Sequence, residues 1–384
     1  MSDPVSVSIE ESEFHGRGPG AGVPLARVPD ERPIPLEPLE GEPLVSVLIP
    51  NKDYGRFIGE ALEGLARQSY AAWEAIVCDD GSSDDSVVVV ERHVARDPRI
   101  TLVRHEKSRG QAAAFNSAFA LARGDIVAFL DSDDSFYADK LEAVVDALRD
   151  GSVGLAVHPL MVVDGGGKEV QRIPALTRAE SGWIARRVID RGGRWRWVPT
   201  SGVAMRREVA DIVLPMPEEG LRTSADTFFL VLAPLLTPVA YVDRVLGSYR
   251  RHGANVFARE TLDLARVEHS IRNLELVVDR VNDRMGKEIT LRIDDNLKHK
   301  ELSFQAELLR GGAPRKVLVD RYWKLMHAFM RDDLYGAVQK GWAWVLYGVA
   351  VALPPTQRAS WLSASLSASR AKELARRALR RGRS

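Results

Sequence analysis

One cysteine, Cys78, is all the chain contains. A single thiol builds neither an internal disulfide framework nor a Cys-based zinc site, and it suits a reducing, cytoplasmic setting. Net charge is equally scarce. Lys plus Arg and Asp plus Glu both total 53, so no overall field selects nucleic acid as a partner. Long apolar runs are missing, since none reaches the length of a normal membrane-spanning helix. The N-terminus also lacks the basic region and apolar core of a secretory leader. What remains is the mix of an ordinary globular protein: 384 residues, 45% hydrophobic and 28% charged, with room for one large or two moderate domains. Charge is spread unevenly. The first forty residues lean acidic, and the final "SRAKELARRALRRGRS" is strongly basic.

Residues 1–42 are rich in Pro, Gly and Glu, a composition that reads as a mostly irregular arm. A regular alternation starts at Val45. "VSVLI" (45–49), "WEAIVC" (73–78), "ITLVR" (100–104) and "IVAFL" (126–130) read as strands, each separated from the next by a helix-length connection. That order implies βαβ units and a parallel sheet covered on both faces. "VGLAVHPLMVVD" is expected to add a strand, "WVPTSGVAMRREV" a loop or strand leading into a helix, and "VAYVDRVLGSYRRHGANV" to close the domain. From about residue 257 the pattern is helical. Leu264, Val267, Ile271, Leu274, Val278, Val281 and Met285 form a heptad seam, either packed within the chain or a homodimer contact. "GWAWVLYGVAVALPP" (341–355) is too short to span a bilayer, so a core helix is expected. Its Trp342, Trp344 and Tyr347, with the basic tail behind them, also suit an interfacial anchor.

Ligands of such sheets bind beyond the carboxyl ends of the strands. Three polar clusters sit there: "PNKDYG", "CDDGSSDD" and "DSDDS". In the last, Asp131 and Asp133 lie two apart, so extended backbone turns them to one side. A hard divalent ion carrying diphosphate oxygens needs one or two such carboxylates. The plain alternative is an N-cap for the helix that follows. Asp79 and Asp80 precede a Gly-Ser turn and either take an imide N–H from a base or simply cap the next helix. "RGQAAAFNSAFALAR" reads as a helix whose start can receive phosphate, with Arg109 adding charge and Asn116 a candidate buried hydrogen-bonding residue.

Together, "VSVLIPNKDYGRFIGEALEGLARQSYAAWEAIVCDDGSSDDS" and "RGQAAAFNSAFALARGDIVAFLDSDD" resemble a family-2 glycosyltransferase. The likeness covers residues 44–140 most closely and extends to about residue 255. It implies an α/β GT-A fold, a Rossmann-like, mostly parallel sheet with flanking helices. A nucleotide-sugar half would span 43–140, an acceptor half 141–256, and a helical region with its basic tail 257–384. It implies that Pro50, Asn51, Asp53 and Asp80 line the nucleoside pocket, with Gly110, Gln111, Asp131, Ser132 and Arg250 also on the nucleotide sugar. It implies Asp133 and His252 as ligands of Mg²⁺ or Mn²⁺, and Asp226 in "SADTFFL" as general base. Lys52 and Asp53 stand where the family usually shows Tyr and Asn, Phe115 replaces an Arg, and Ala225 an acidic residue.

The expected activity is inverting, metal-dependent transfer from a nucleoside diphosphate sugar, UDP-sugar first, in polysaccharide or glycoconjugate synthesis. The acceptor would be a glycan, a lipid-linked glycan or a protein, met in the cytoplasm or at the inner face of the membrane. Two other readings stand beside it: a nucleotide-sugar-binding scaffold without turnover, and a HAD-type phosphohydrolase. The second would use Asp131 of "FLDSDDS" as nucleophile, a motif that belongs on a chain's first strand.

Overall fold

The computed structural model describes residues 6–8, 33–173, 180–252, 263–286 and 290–366. They fall into two compact units. The first holds residues up to Ile189, Trp195–His252 and Arg280–Thr290; the second holds Asp190–Arg194, Gly253–Asp279 and the chain from Leu291.

The first unit is built on β1 (Ser6–Ser8), β2 (Val45–Asn51), α1 (Gly55–Ala66), β3 (Trp73–Asp79), α2 (Ser86–Val94), β4 (Ile100–Arg104), α3 (Gln111–Leu121) and β5 (Ile126–Phe129). These are followed by β6 (Ser135–Phe136), α4 (Lys140–Leu148), β7 (Leu155–Val157), β8 (Leu160–Asp164), β9 (Glu169–Ile173) and α5 (Ala185–Asp190). Then come β10 (Val203–Arg206), α6 (Arg207–Val213), α7 (Asp226–Leu232), β11 (Val239–Tyr241) and β12 (Gly247–Arg251).

The main sheet runs β1-β4-β3-β2-β5-β10-β7-β11, and a smaller one β6-β12-β8-β9. The four expected strands β2 to β5 pair in parallel. β3 is buried along its whole length, and its stretch from Ala75 to Cys78 is a continuous apolar run rather than an alternation. Strands β3 and β4 follow on one side of β2, whereas β5 pairs on the other. The order therefore reverses between β2 and β5, and a crevice opens beyond their carboxyl ends. Pro50, Asn51 and Asp131 to Asp133 lie there.

Past β5 comes one antiparallel strand, β10. Ala204 of β10 faces Ala128 of β5, so the residues just before β10 are carried back to where β5 ends. This register brings Thr200 and Ser201 to Asp131.

One expectation changes. "VGLAVHPLMVVD" forms two strands in different sheets, β7 with β10 and β8 with β12. Pro159, which has no N–H for a ladder, stands at the break. The described residues 33–42 of the N-terminal arm carry no helix or strand. Ser6–Ser8 pairs with β4, and the amides of Ile34 and Leu39 donate to Leu236 and Arg149 carbonyls. The buried Arg206 guanidinium also donates to the Glu37 carbonyl at 2.8 Å.

The second unit is helical. It comprises α8 (Leu264–Met285) up to Asp279, then α9 (Leu297–Arg310), α10 (Arg315–Arg331), α11 (Ala337–Ala352) and α12 (Pro355–Leu366). The first half of the seam is spent inside this unit, where Val267 clusters with Leu302 and Ala306, and Leu264, Ile271 and Leu274 pack against them. α11 is the expected core helix: Leu346, Tyr347 and Ala350 join Phe304, Leu325 and Phe329. No helix among the described residues is long and apolar enough to cross a membrane. The basic tail, 369–384, lies outside the described residues.

Candidate active site

Two acidic clusters border the crevice. At the end of β3, Asp79 and Asp80 are buried. The Asp80 carboxylate accepts from Ser108 Oγ at 2.7 Å, Arg109 N at 2.7 Å and Gly110 N at 2.9 Å, and pairs with His105 Nδ1 at 2.7 Å. Burial alone would push its pKa up, but the bonds from His105, Arg109, Ser108 and Gly110 outweigh it and bring the value down to about 2. Four partners fill the acceptor capacity of a carboxylate. Asp80, expected on the base, is in this structure the anchor of loop 105–110.

The start of α3 is occupied as well. Gly110 gives its N–H to Asp80 and Gln111 gives its N–H to the Arg222 carbonyl at 2.9 Å. Gly110 sits at φ 103, and a Cβ there would lie 2.7 Å from Arg222 Cα. Gln111 Oε1 accepts from Ala225 N at 3.0 Å, so this side chain holds the loop leading to Asp226. Both residues, expected on the nucleotide sugar, tie α3 to its neighbouring loops. Asn116 is the buried hydrogen-bonding residue, clamping Met216 through its N–H at 2.7 Å and its carbonyl at 2.8 Å.

On the nucleoside side, Asn51 Nδ2 donates to Asp79 Oδ2 at 2.8 Å, while its Oδ1 is buried with no hydrogen-bond partner. Asp53 stands at φ 56 in the left-handed region. Its N–H donates to Ser82 Oγ at 2.9 Å and its carboxylate accepts from Ser83 N at 2.6 Å. Lys52 donates to the Gly81 carbonyl. Phe115 joins Phe129 and Phe229 in an aromatic core cluster, so no cation stands at that position.

The cluster after β5 is of a different kind. Asp134 is internal and accepts from Ser201 Oγ at 2.6 Å and Arg250 N at 2.9 Å. The fully buried Lys140 donates to the Ser201 carbonyl at 2.6 Å and lies over the Phe136 ring. Ser201 Oγ in turn accepts from Asp131 N at 3.0 Å. Thr200 Oγ1 donates to Asp226 Oδ2 at 3.0 Å and also hydrogen-bonds Asp131, so one hydroxyl stands between the two carboxylates. Burial, then Asp133 and Asp226, hold Asp131 well above the usual carboxylate range. Burial also raises Asp226 against the pull of Thr200, and Asp134 is raised by burial, then by Asp133 and Asp131. Tyr54 is pushed up to about 12 by burial and by Asp133 and Asp131. Asp226 opens α7 two residues after Ser224, which sits at φ 56. Asp53 and Ser224 are the described non-glycine residues at positive φ, and they stand next to the two ends of the crevice.

Three further expected site residues have protein partners. Ser132 is buried and its hydroxyl donates to the Pro50 carbonyl at 2.5 Å, stitching β2 to the end of β5. Arg250, expected on diphosphate, is buried. Its guanidinium donates to the Asp133 carbonyl at 3.0 Å and to Glu60 Oε2 at 2.6 Å. His252 was expected as a metal ligand, yet both ring nitrogens have protein partners: Nε2 with Asp133 Oδ2 at 2.9 Å, and Nδ1 with Arg56 at 3.2 Å. Its ring packs on Phe57 and Tyr54. His252 stands against the Asp133 carboxylate, the other residue expected on the metal. Thr200, Ser201, Lys140, Glu60 and Arg56 were not found from sequence.

Among the described residues, no group of three or more His, Cys, Asp or Glu is arranged to hold a metal by itself. A divalent ion here would therefore complete its shell with substrate oxygens and water, as Mg²⁺ commonly does. The donor set suits one. The carboxylate oxygens of Asp131 and Asp133 are hard donors, and the repulsion from Asp133 and Asp226 that raises Asp131 is what a cation would relieve.

The family pattern described as glycosyl transferase family 2 matches residues 46–212. Those residues belong to that family. An uncharacterized glycosyltransferase of Nostoc sp. is 29% identical over 68% of this chain and 82% of its own length. The Escherichia coli UDP-Glc:α-D-GlcNAc-diphosphoundecaprenol β-1,3-glucosyltransferase is 37% identical over 29% of this chain, and the match spans 43% of that protein. Among solved structures, Staphylococcus aureus TarS 1–349 in complex with UDP-GlcNAc superposes at TM-score 0.52 with 17% identity. That match covers 86% of this chain and 92% of TarS 1–349. The fold is GT-A, residues 46–212 are a family-2 glycosyltransferase domain, and the phosphohydrolase reading falls. Asp131 follows the fourth strand of this sheet's βα series, not the first.

Proposed function

We propose that this glycosyltransferase moves a sugar from a UDP-sugar to a hydroxyl of a glycan or lipid-linked glycan, with inversion at the anomeric carbon. The observation that carries the proposal is Asp226 placed across the Thr200 hydroxyl from Asp131, with its pKa raised by burial. A carboxylate whose pKa is raised by burial is a stronger base than a solvated one. Asp226 takes the acceptor hydroxyl proton as the acceptor oxygen bonds to the anomeric carbon. The bond from that carbon to the diphosphate breaks on the opposite face, and its electron pair leaves with the diphosphate.

Asp133, held by His252 and aided by Asp131, is the residue that would hold Mg²⁺ or Mn²⁺. When bound, the ion supplies positive charge that neutralises the departing diphosphate. Pro50, Asn51 and Asp53 border the nucleoside, where the unpartnered Asn51 Oδ1 accepts an N–H or O–H. Support for UDP comes from TarS, solved with UDP-GlcNAc, and from the E. coli relative named for UDP-Glc and a diphosphoundecaprenol acceptor. That acceptor chemistry also supports working at the cytoplasmic face of a membrane.

The test is a panel of nucleotide sugars assayed for hydrolysis and transfer with Mg²⁺, Mn²⁺ or chelator. UDP-sugar turnover that chelator removes is expected, with anomeric inversion read by NMR. Turnover indifferent to chelator, or retention of configuration, overturns the proposal.

A further inference from the structure

The second unit carries an apolar face that its own core does not use. On α10, Val319, Trp323 and Met330 are exposed at 37%, 54% and 56%. Their spacing of four and seven puts them in one stripe. On α11, Val338 and Val345 are exposed at 81% and 53%, with Trp342 half-buried between them, at spacings of four and three. The two helices are joined by a short turn at 332–336 and pack on each other. The ring of Trp323 meets that of Trp344 at 5.2 Å, so the stripes lie side by side on one surface. Tyr347, expected from sequence to belong to such a surface, is fully buried and hydrogen-bonds Glu301 and Gln305.

The edge of this face on α10 is basic. Lys316, Lys324 and Arg331 are exposed beside it, with Asp320 the acidic residue among them, paired to Lys324 at 2.8 Å. Further along the chain, residues 369–384 hold seven Lys or Arg and one Glu. An exposed Trp- and Val-rich stripe with a cationic margin and a polybasic segment on the same unit matches the chemistry of an anionic bilayer surface. The rings enter the headgroup boundary and the cations meet lipid phosphates. A protein partner would have to carry the same combination of apolar surface and dense negative charge.

We infer that the α10–α11 face docks this unit on a membrane surface containing anionic lipid. The binding is peripheral, uses Trp323, Met330, Val338 and Val345 as the inserting side chains, and takes the basic margin of α10 as a second signal. One apolar contact is seldom enough to hold a protein on a bilayer, and two together are. The inference rests on this exposed face and not on the proposed reaction.

The full-length chain is mixed with vesicles of phosphatidylcholine alone or with an equal part of phosphatidylglycerol, at low and at high salt, and bound protein is read by flotation. Neither donor nor acceptor is present, so the outcome is independent of the transfer reaction. Binding to the anionic vesicles, weakened by salt, is expected. Trp323→Glu and Val345→Glu, each checked for an unchanged circular dichroism spectrum, should each lower the partition coefficient at least tenfold, and Lys316→Glu/Arg331→Glu should lower it severalfold. Val88→Glu, on exposed α2 of the first unit, should leave it unchanged. Three results overturn the inference: no binding of the wild type to anionic vesicles, binding that Trp323→Glu and Val345→Glu leave intact, or wild-type protein that sediments as a dimer these variants dissociate while vesicles are ignored. The last assigns the face to a second copy.

Discussion

The acidic clusters after β3 and after β5 are written in nearly the same letters, "DDGSSDD" and "DSDDS", and they do opposite things. Asp80 is surrounded by donors: two backbone amides, a serine hydroxyl and an imidazole, which bring it down to about 2. Asp131 is as crowded, but its neighbours are Asp133 and Asp226, and it rises well above the usual range. The same side chain is a folding device in one place and stored negative charge in the other. The supply of N–H and O–H groups decides which. The donor-rich cluster contributes stability to the empty protein, while the donor-poor cluster costs stability until a cation or a proton arrives.

This contrast can be broken most severely at the base. Asp226→Asn keeps the size of the side chain and its place at the start of α7. Transfer should still fall at least about a hundredfold, with donor binding by calorimetry unchanged. Asp80→Asn attacks the other cluster. An amide there turns an NH₂ toward groups that are themselves donors, and chemical denaturation should show a loss of about 2–3 kcal/mol. Asp131→Asn should act in the reverse sense, removing one of the repelling charges. The empty protein gains about 1 kcal/mol while metal-dependent turnover is lost. A destabilised Asp131→Asn protein would mean that the cluster is not strained.

The gentlest test is pH. Asp80 has a folded pKa below its ordinary 3.8, so its stabilisation is present above about 4 and is lost as pH falls toward about 2. Asp131, Asp134 and Asp226 have folded values raised above 3.8. Their contribution is fully present below 3.8 and is lost as pH rises through the raised values. The melting temperature of the metal-free protein should therefore climb as pH is lowered from 7 toward 5 and drop again below 4. In Asp131→Asn the climb should be smaller.

Strands β2 to β5 could be read from the sequence because β-branched runs buried on both faces have few alternative homes. The edge holding Asn51, Asp80 and Asp131 could be read because polar clusters at strand ends are conspicuous, whereas Asp226 came only with the family resemblance. What each carboxylate does could not. Nothing in "CDDGSS" announces that Arg109 and Gly110, some thirty residues on, will donate to Asp80. Thr200 and Ser201 reach Asp131 through the antiparallel register of β10, a relation across some seventy residues without a local signature. Arg250 and His252 were legible as members of the site but not in their direction. Arg250 turns inward to Glu60, and His252 turns to Asp133 and Arg56.

Lys140 follows "YAD" and opens a helix, a setting in which lysine is ordinarily on the surface, yet it is fully buried between Phe136 and the Ser201 carbonyl. Its burial drives the ammonium well below its ordinary range, against the pull of Asp134. A sealed amine is a clock. Acylating reagents that mark surface lysines within seconds reach this one only when the layer of Asp134 and Ser201 opens. The rate at which Lys140 is labelled would therefore count openings of the floor beneath the site, and a ligand that closes the crevice would slow it.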